Sequence, residues 1–298
     1  MAFFDSLRDI PRSIARFHKS EAIKQLLWRM LWVGVYTGVL AFFQLNFMKL
    51  EVKIDTIFIS LLGTLLSLLL VFRTNTAYDR FWEGRKQWGS LINQSRSFAM
   101  TVNAMLPKSE DGEREYFAQN LSSFAFALKG HLRDNIIWHE LYAFSGEQKE
   151  ILKKKLHVPN AIASDLLTHL FDLSRAGVVS ELSLRNVKAQ HDALVDITGA
   201  CERIKRTPIP HSYGFYIQLF ILAYVGMLPF LLIDKYGYYT ILAVMMAAYA
   251  LMGIEMIASE IEEPFGLDAN DLPLDQMSQT IRLNVHEILG VDLPNHDF

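Results

Sequence analysis

Four stretches of the chain carry no charged side chain: Met30 to Met48, Thr56 to Phe72, Ser212 to Ile233, and Tyr236 to Ile254. They are 19, 17, 22 and 19 residues long, and a helix of roughly 17–25 residues spans a hydrocarbon core about 30 Å thick. Because they come as two closely spaced pairs, they predict two membrane hairpins rather than buried helices of a large water-soluble core.

Between the pairs the pattern becomes amphipathic and helical. From Arg73 nothing breaks the helix until Pro107, so the second apolar window continues as one long rod. Leu121, Phe124, Ala125, Leu128 and Leu132 mark one face of a second helix at i, i+3, i+4, i+7, i+11 spacing. Leu166, Leu167, Leu170 and Phe171 mark a third over Ala161 to Ser174. Val187, Leu194, Ile197, Cys201 and Ile204 stripe a fourth, from about Ser180 to Lys205, which stops before Pro208 and Pro210. The tail from Glu255 holds Pro264, Gly266, Pro273, Gly290 and Pro294, which predicts a mostly extended segment. The fold class is therefore all-α, a multi-pass membrane protein with four transmembrane helices per subunit and a helical cytosolic domain. Its expected layout is an amphipathic segment over 1–29, a first hairpin over 30–72, a cytosolic helical domain over 73–206, a second hairpin over 207–254 and an acidic tail over 255–298.

Composition narrows the class. The 298 residues are 51% hydrophobic and 20% charged, with a formal net charge of -3. Mean hydropathy is +0.17, which excludes a disordered chain. A near-neutral chain lacks the basic face of a nucleic-acid binder, so no nucleic-acid partner is expected. The one cysteine, Cys201, permits neither an intrachain disulfide nor a cysteine zinc cluster and reads as a core residue. Orientation follows from the basic residues. Arg8, Arg12, Arg16, Lys19, Lys24 and Arg29 precede the first window and 19 more lie between the second and third, whereas the hairpin turns hold only Lys49, Lys53 and Lys235. Both termini and the central region are expected in the cytoplasm. Residues 1–29 have no apolar run or cleavage site and are expected to stay on the protein. The tail has ten acidic residues and one basic one, Arg282. Its Glu262, Glu263 and Asp271 are expected to pair with Arg8, Arg12 or Arg16.

Catalytic patterns are missing: there is no Walker loop, no G-x-G-x-x-G and no G-x-S-x-G. His139-Glu140 begins like a zincin motif, but Ala143 stands where the second histidine belongs. His131, His169 and His191 have no cysteine or carboxylate at ligand spacing and read as surface or core residues. The chain is not expected to be an enzyme. The physical signal lies in the second window, where Thr64, Leu68 and Phe72 share a helix face and Gly63 and Ser67 provide small flanks. The dense run Phe72 to Arg85 follows, ending at Trp88-Gly89. A juxtamembrane belt of anchors explains Arg80, Trp82 and Arg85. An apolar constriction opening into a polar vestibule explains the whole span.

The run FRTNTAYDRFWEGRKQW with Ser95-Arg96-Ser97 resembles the signature of bacterial bestrophin homologues. Two more blocks match: Gly199-Ala200-Cys201-Glu202-Arg203-Ile204 with Thr207-Pro208-Ile209-Pro210, and Glu260-Ile261-Glu262-Glu263-Pro264-Phe265-Gly266 with Asn270-Asp271-Leu272-Pro273-Leu274. The resemblance implies a homopentameric channel for monovalent ions in the bacterial inner membrane, in contact with membrane lipid. Family members pinch the pore at an apolar neck, which maps here to Thr64, Leu68 and Phe72; Thr64 departs from the usual aliphatic or aromatic residue. A cytosolic aperture maps to Leu182 with Glu181 beside it. Animal relatives are chloride channels, while resemblance to a bacterial relative and five copies of Glu181 favour cations. No cofactor is required. Calcium-activated relatives bind calcium in a loop whose carboxylate positions map to Asp268 and Asp271, and bacterial members commonly lack that control. The alternatives to a channel are a non-conducting membrane scaffold or sensor with a partner-binding cytosolic domain, and a membrane enzyme acting on small lipophilic substrates.

Overall fold

The computed structural model describes residues 21–47 and 55–293. These residues form helices joined by turns: α1 (Glu21–Asn46), α2 (Thr56–Met105), α3 (Asp111–Leu132), α4 (Gly146–Lys153), α5 (Val158–Arg175), α6 (Glu181–Arg206), α7 (His211–Tyr236), α8 (Thr240–Ile261) and α9 (Leu274–Leu289). Single 3-10 turns lie at Trp138–Glu140 and Gly237–Tyr239, and there is no strand among the described residues. The protein is thus all-helical. Two compact units divide it.

The first unit comprises the described residues up to Arg80, Pro208–Glu263 and Asp268–Asn270. Each charge-free window meets its own helix there: α1, the opening of α2, α7 and α8. Among the described residues, the stretches long and apolar enough to cross a membrane are Ile23–Asn46, Thr56–Met105 and His211–Ile261. The last is interrupted at Gly237, whose φ of 54° belongs to a region that β-carbons disfavour. That break lets α7 and α8 pack against each other instead of continuing as one rod. α1 packs on both. Leu26, Met30 and Val33 of α1 meet Ile217, Ile221 and Val225 of α7, Val244 and Ala248 of α8, and Leu66 and Leu70 of α2 in one cluster.

The second unit comprises Phe81–Thr207, Pro264–Leu267 and the residues from Asp271 onward. Its centre is α3, which buries Phe117, Leu121, Phe124, Ala125 and Leu128 and packs against α5, α6 and α9. Trp88, Leu91, Phe98 and Val102 from the later part of α2 join this core, with Ile162, Leu166 and Leu170 of α5 and Val187, Leu194, Ile197 and Cys201 of α6. The expected helices of the central region are all present, and α2 does end just ahead of Pro107. The short α4 was not anticipated; a reciprocal capping box between Ser145 and Gln148 holds it.

The tail departs from its expectation. It is not mostly extended: α9 buries Leu274, Met277, Ile281, Val285 and Leu289 against the second unit's core. Pro273 and Gly290 are the boundaries of that helix, Gly290 closing it at φ 68°, and their helix-flanking positions were misread as breakers. Asp275 in its first turn bonds Lys129 at 2.8 Å and Arg133 at 2.6 Å. Lys129 is 1% exposed and also meets Glu140 at 2.7 Å, so its charge is compensated twice. The expected partners Arg8, Arg12 and Arg16 lie outside the described residues.

Candidate functional site

Within the first unit, α2 buries Ile59, Leu66, Leu70, Arg73 and Ala77 along one side. The other side is uncovered. Leu61, Leu65, Leu68, Val71 and Phe72 are exposed, Leu68 by 50% and Phe72 by 55%, and Thr64 is exposed with them. The three expected neck residues therefore share one open face of the helix. Hydroxyls on this stretch are satisfied locally: Thr64 Oγ1 donates to the Ser60 carbonyl at 2.9 Å, and Thr76 Oγ1 donates to the Phe72 carbonyl at 2.9 Å. Thr64 thus spends its one donor on its own helix. Gly63 admits the Tyr224 hydroxyl, which would lie 2.6 Å from a β-carbon there. Ser67 is exposed and only back-bonds to the Gly63 carbonyl.

Where the apolar window of α2 ends, a buried polar network begins. Arg73 Nη2 donates to Ser259 Oγ at 2.9 Å and lies 3.3 Å from Glu262 and 3.8 Å from Glu255. Gln218 Nε2 donates to Glu255 at 2.8 Å, the Ile209 amide donates to Glu262 Oε1 at 2.9 Å, and Arg80 Nε donates to the Glu262 carbonyl at 3.0 Å. Arg73 and the two nearly buried carboxylates compensate one another's charge in this arrangement of α2, α7 and α8, although Arg73 Nε is buried without a hydrogen-bond partner among the described residues. Gly214 makes room for it, since a β-carbon there would sit 3.2 Å from the Arg73 guanidinium. A cavity of about 390 Å³ lies beside the network, lined by Arg73, Ile209, Gly214, Gln218, Ser259 and Glu262 among others. The network joins residues from all three sequence blocks apart from the Gly-Ala-Cys-Glu segment: Arg73 from the first, Ile209 from the second and Glu262 from the third. Sequence reasoning marked the blocks without seeing that they meet.

Leu182 and Glu181 occupy the first turn of α6, both exposed, after the Ser180 cap that accepts the Ser183 amide. Asp268 falls in the first unit and Asp271 in the second. No trio of histidine, cysteine or carboxylate ligands gathers at either among the described residues. Cys201 is buried, and burial, with the Glu83 and Glu202 charges, pushes its thiol up to about 12, as befits an unreactive core residue. His131 and His169 do find carboxylates, whereas His191 is the core residue expected. His131 and His157 both reach Glu202, at 2.8 and 3.1 Å, and His169 bonds Glu113. His191 bonds the Ala163 carbonyl at 2.8 Å. Burial pushes the Glu202 carboxyl up, but hydrogen bonds and charge from His131 and His157 outweigh it and hold it below the usual range.

A helical membrane protein whose long helix leaves an apolar face uncovered is the class these features define. The sequence profile described as Bacterial/Fungal Bestrophin protein matches residues 5–287, and the chain belongs to that family. A voltage-dependent anion channel-forming protein of Nostoc sp. is 38% identical over 238 residues, 78% of each chain. One of the same name from Escherichia coli K12 is 29% identical, over 92% of this chain and 90% of its own. The crystal structure of a bacterial bestrophin homologue from Klebsiella pneumoniae superposes with a TM-score of 0.84 at 26% identity, covering 90% of this chain and 99% of that one.

Proposed function

We infer that the chain is the subunit of an ion channel, five copies closing around a pore whose neck is lined by Thr64, Leu68 and Phe72. The observation that carries this reading is the exposed ladder on α2, because one subunit has too few membrane helices to enclose a path and leaves the ladder unpartnered. Rings of apolar side chains hold back water and ions by dewetting rather than by charge. In this reading the hairpins 30–72 and 207–254 are the four membrane spans, and 73–206 with the tail 255–298 is cytosolic. Both termini face the cytoplasm of a bacterium and the apolar outer surface meets inner-membrane lipid. Leu182 and Glu181 form a second, cytosolic ring. No cofactor takes part in conduction, and calcium at Asp268 and Asp271 is not needed for it.

Ion choice rests on that second ring. The relatives' names favour anions, and the sequence-based preference for cations finds no support in them. The exposed Glu181 carboxylate is the one observation that favours cations. Purified protein in liposomes under a salt gradient decides, since the sign of the reversal potential reads the permeant ion directly. Absence of any flux would leave a non-conducting scaffold and end the channel reading. Leu68→Ala and Phe72→Ala are expected to raise flux without moving the reversal potential, while Glu181→Gln is expected to move it. Native mass spectrometry should give five times 34.2 kDa.

A further inference from the structure

We propose that His131, His157 and Glu202 form a binding site for one transition-metal dication of the zinc class. The three come from separate elements: the last turn of α3, the cap position before α5 and the last turns of α6. Their ligand atoms all lie within 4.8 Å of one another. Glu202 Oε1 is 2.8 Å from His131 Nε2 and 3.1 Å from His157 Nε2, and the two imidazoles face each other with centroids 4.3 Å apart. A tetrahedral zinc with bonds of about 2.0–2.1 Å needs ligand atoms about 3.3 Å apart, so the two Glu202 contacts need shifts of a few tenths of an ångström and the imidazole nitrogens, within 4.8 Å of each other, close by side-chain rotation. The side chains are 19%, 22% and 20% exposed, enough for an ion to enter and for water to complete its shell. Two imidazoles and one carboxylate suit zinc, cobalt or nickel; calcium and magnesium want oxygen throughout.

Three features bear on metal binding, and none closes the site. Arg206 Nη2 lies 3.3 Å from Glu202 Oε1, but its side chain is 70% exposed and free to turn into solvent. Lys205 is already held by Asp134 at 2.6 Å and by the His131 carbonyl at 3.2 Å. His157 Nδ1 accepts the Asn160 amide at 3.1 Å, which places the ring proton on Nε2. A metal on Nε2 sends that proton to Nδ1 and breaks the cap bond, a loss that weakens binding by about tenfold. The metal would then tie together the end of α3, the start of α5 and the end of the helix whose first turn carries Glu181 and Leu182.

The test uses untagged full-length protein in mild detergent, stripped with a chelator and titrated with zinc chloride alone. Equilibrium dialysis should find one zinc per subunit with a dissociation constant below about 100 μM, and zinc should raise the melting temperature. Cobalt(II) should show the intense visible absorption of a low-coordinate site. The decisive variant is His157→Asn, because asparagine caps helices as well as any residue and so removes a ligand while keeping α5 capped. Without metal it should melt slightly below the wild type, by the one hydrogen bond to Glu202 that it loses, and it should bind zinc at least about tenfold more weakly. Glu202→Gln should lose binding as well, and if that variant fails to fold, His157→Asn alone decides. Zinc binding that is absent in the wild type, or undiminished in His157→Asn, overturns the proposal and leaves the cluster as a hydrogen-bonded staple.

Discussion

The helix α2 runs through two different surroundings on one backbone. Up to Arg80 it buries a narrow side and exposes Leu61, Leu65, Leu68, Val71 and Phe72. From Phe81 onward it buries Trp88, Leu91, Phe98, Ala99 and Val102, and its exposed positions are mainly polar, Arg85, Lys86, Ser90, Asn93 and Ser97 among them. The later stretch follows the rule for a helix in water, apolar in and polar out. The earlier stretch is apolar on both sides, so its exposed face is a surface meant for lipid, for another subunit or for a dewetted pore. A substitution should therefore cost stability in the later stretch and in the core it joins. On the open face of the earlier stretch it should alter conduction instead.

The strongest challenge to that contrast is Phe124→Ala, in the centre of α3, 0% exposed. It should cost about 3–5 kcal/mol and lower the melting temperature in detergent by many degrees or prevent expression. A small effect would mean that the second unit is loosely packed. Next is Arg73→Met, which leaves Glu255 and Glu262 buried without their cation and should cost about 3 kcal/mol in the same assay. Restoration by the double change Arg73→Met with Glu262→Gln would sharpen the assignment of that loss to the carboxylates.

Asp275→Asn should have a smaller, pH-dependent effect. Burial pushes the Asp275 carboxyl up, but Lys129 and Arg133 outweigh it and hold it below the ordinary value. A depressed folded pKa means that the unfolded state binds its proton first as pH falls, so the stabilising contribution is present above the unfolded pKa of about 3.9 and lost as pH falls through the lower folded one. The carboxylate is 60% exposed, which limits the loss to about 1 kcal/mol at neutral pH. Melting curves of the wild type and the variant should differ by a constant amount from neutral pH down to about 5 and converge below about 4. The smallest stability effect belongs to Leu68→Ala, under about 0.5 kcal/mol, because it uncovers no core. A large drop in its melting temperature would place Leu68 inside a contact rather than on a pore.

The elements were legible because their causes are local. Charge-free length marked the four apolar helices, the i, i+3, i+4 spacing marked α3, α5 and α6, and Pro107 and Pro208 marked where α2 and α6 stop. The exposed face of Thr64, Leu68 and Phe72 was legible for the same reason, since residues four apart must share a side. α9 was equally written in the positions of Leu274, Met277, Ile281, Val285 and Leu289, but Pro273 and Gly290 were weighed as breakers when they bound the helix.

What no local pattern contained is which charged groups meet. Arg73 and Ser259 stand 186 positions apart, Lys129 and Asp275 146, His131 and Glu202 71. The sequence alone determined where helices form and which sides are apolar, because a turn of 3.6 residues converts spacing into facing without reference to anything distant. Only the tertiary structure decided that Arg73 is neutralised by Glu262 and that two histidines converge on one carboxylate. Such pairs are selected by the cost of leaving a charge or a polar atom uncompensated when helices close, and that cost exists only once the helices are packed.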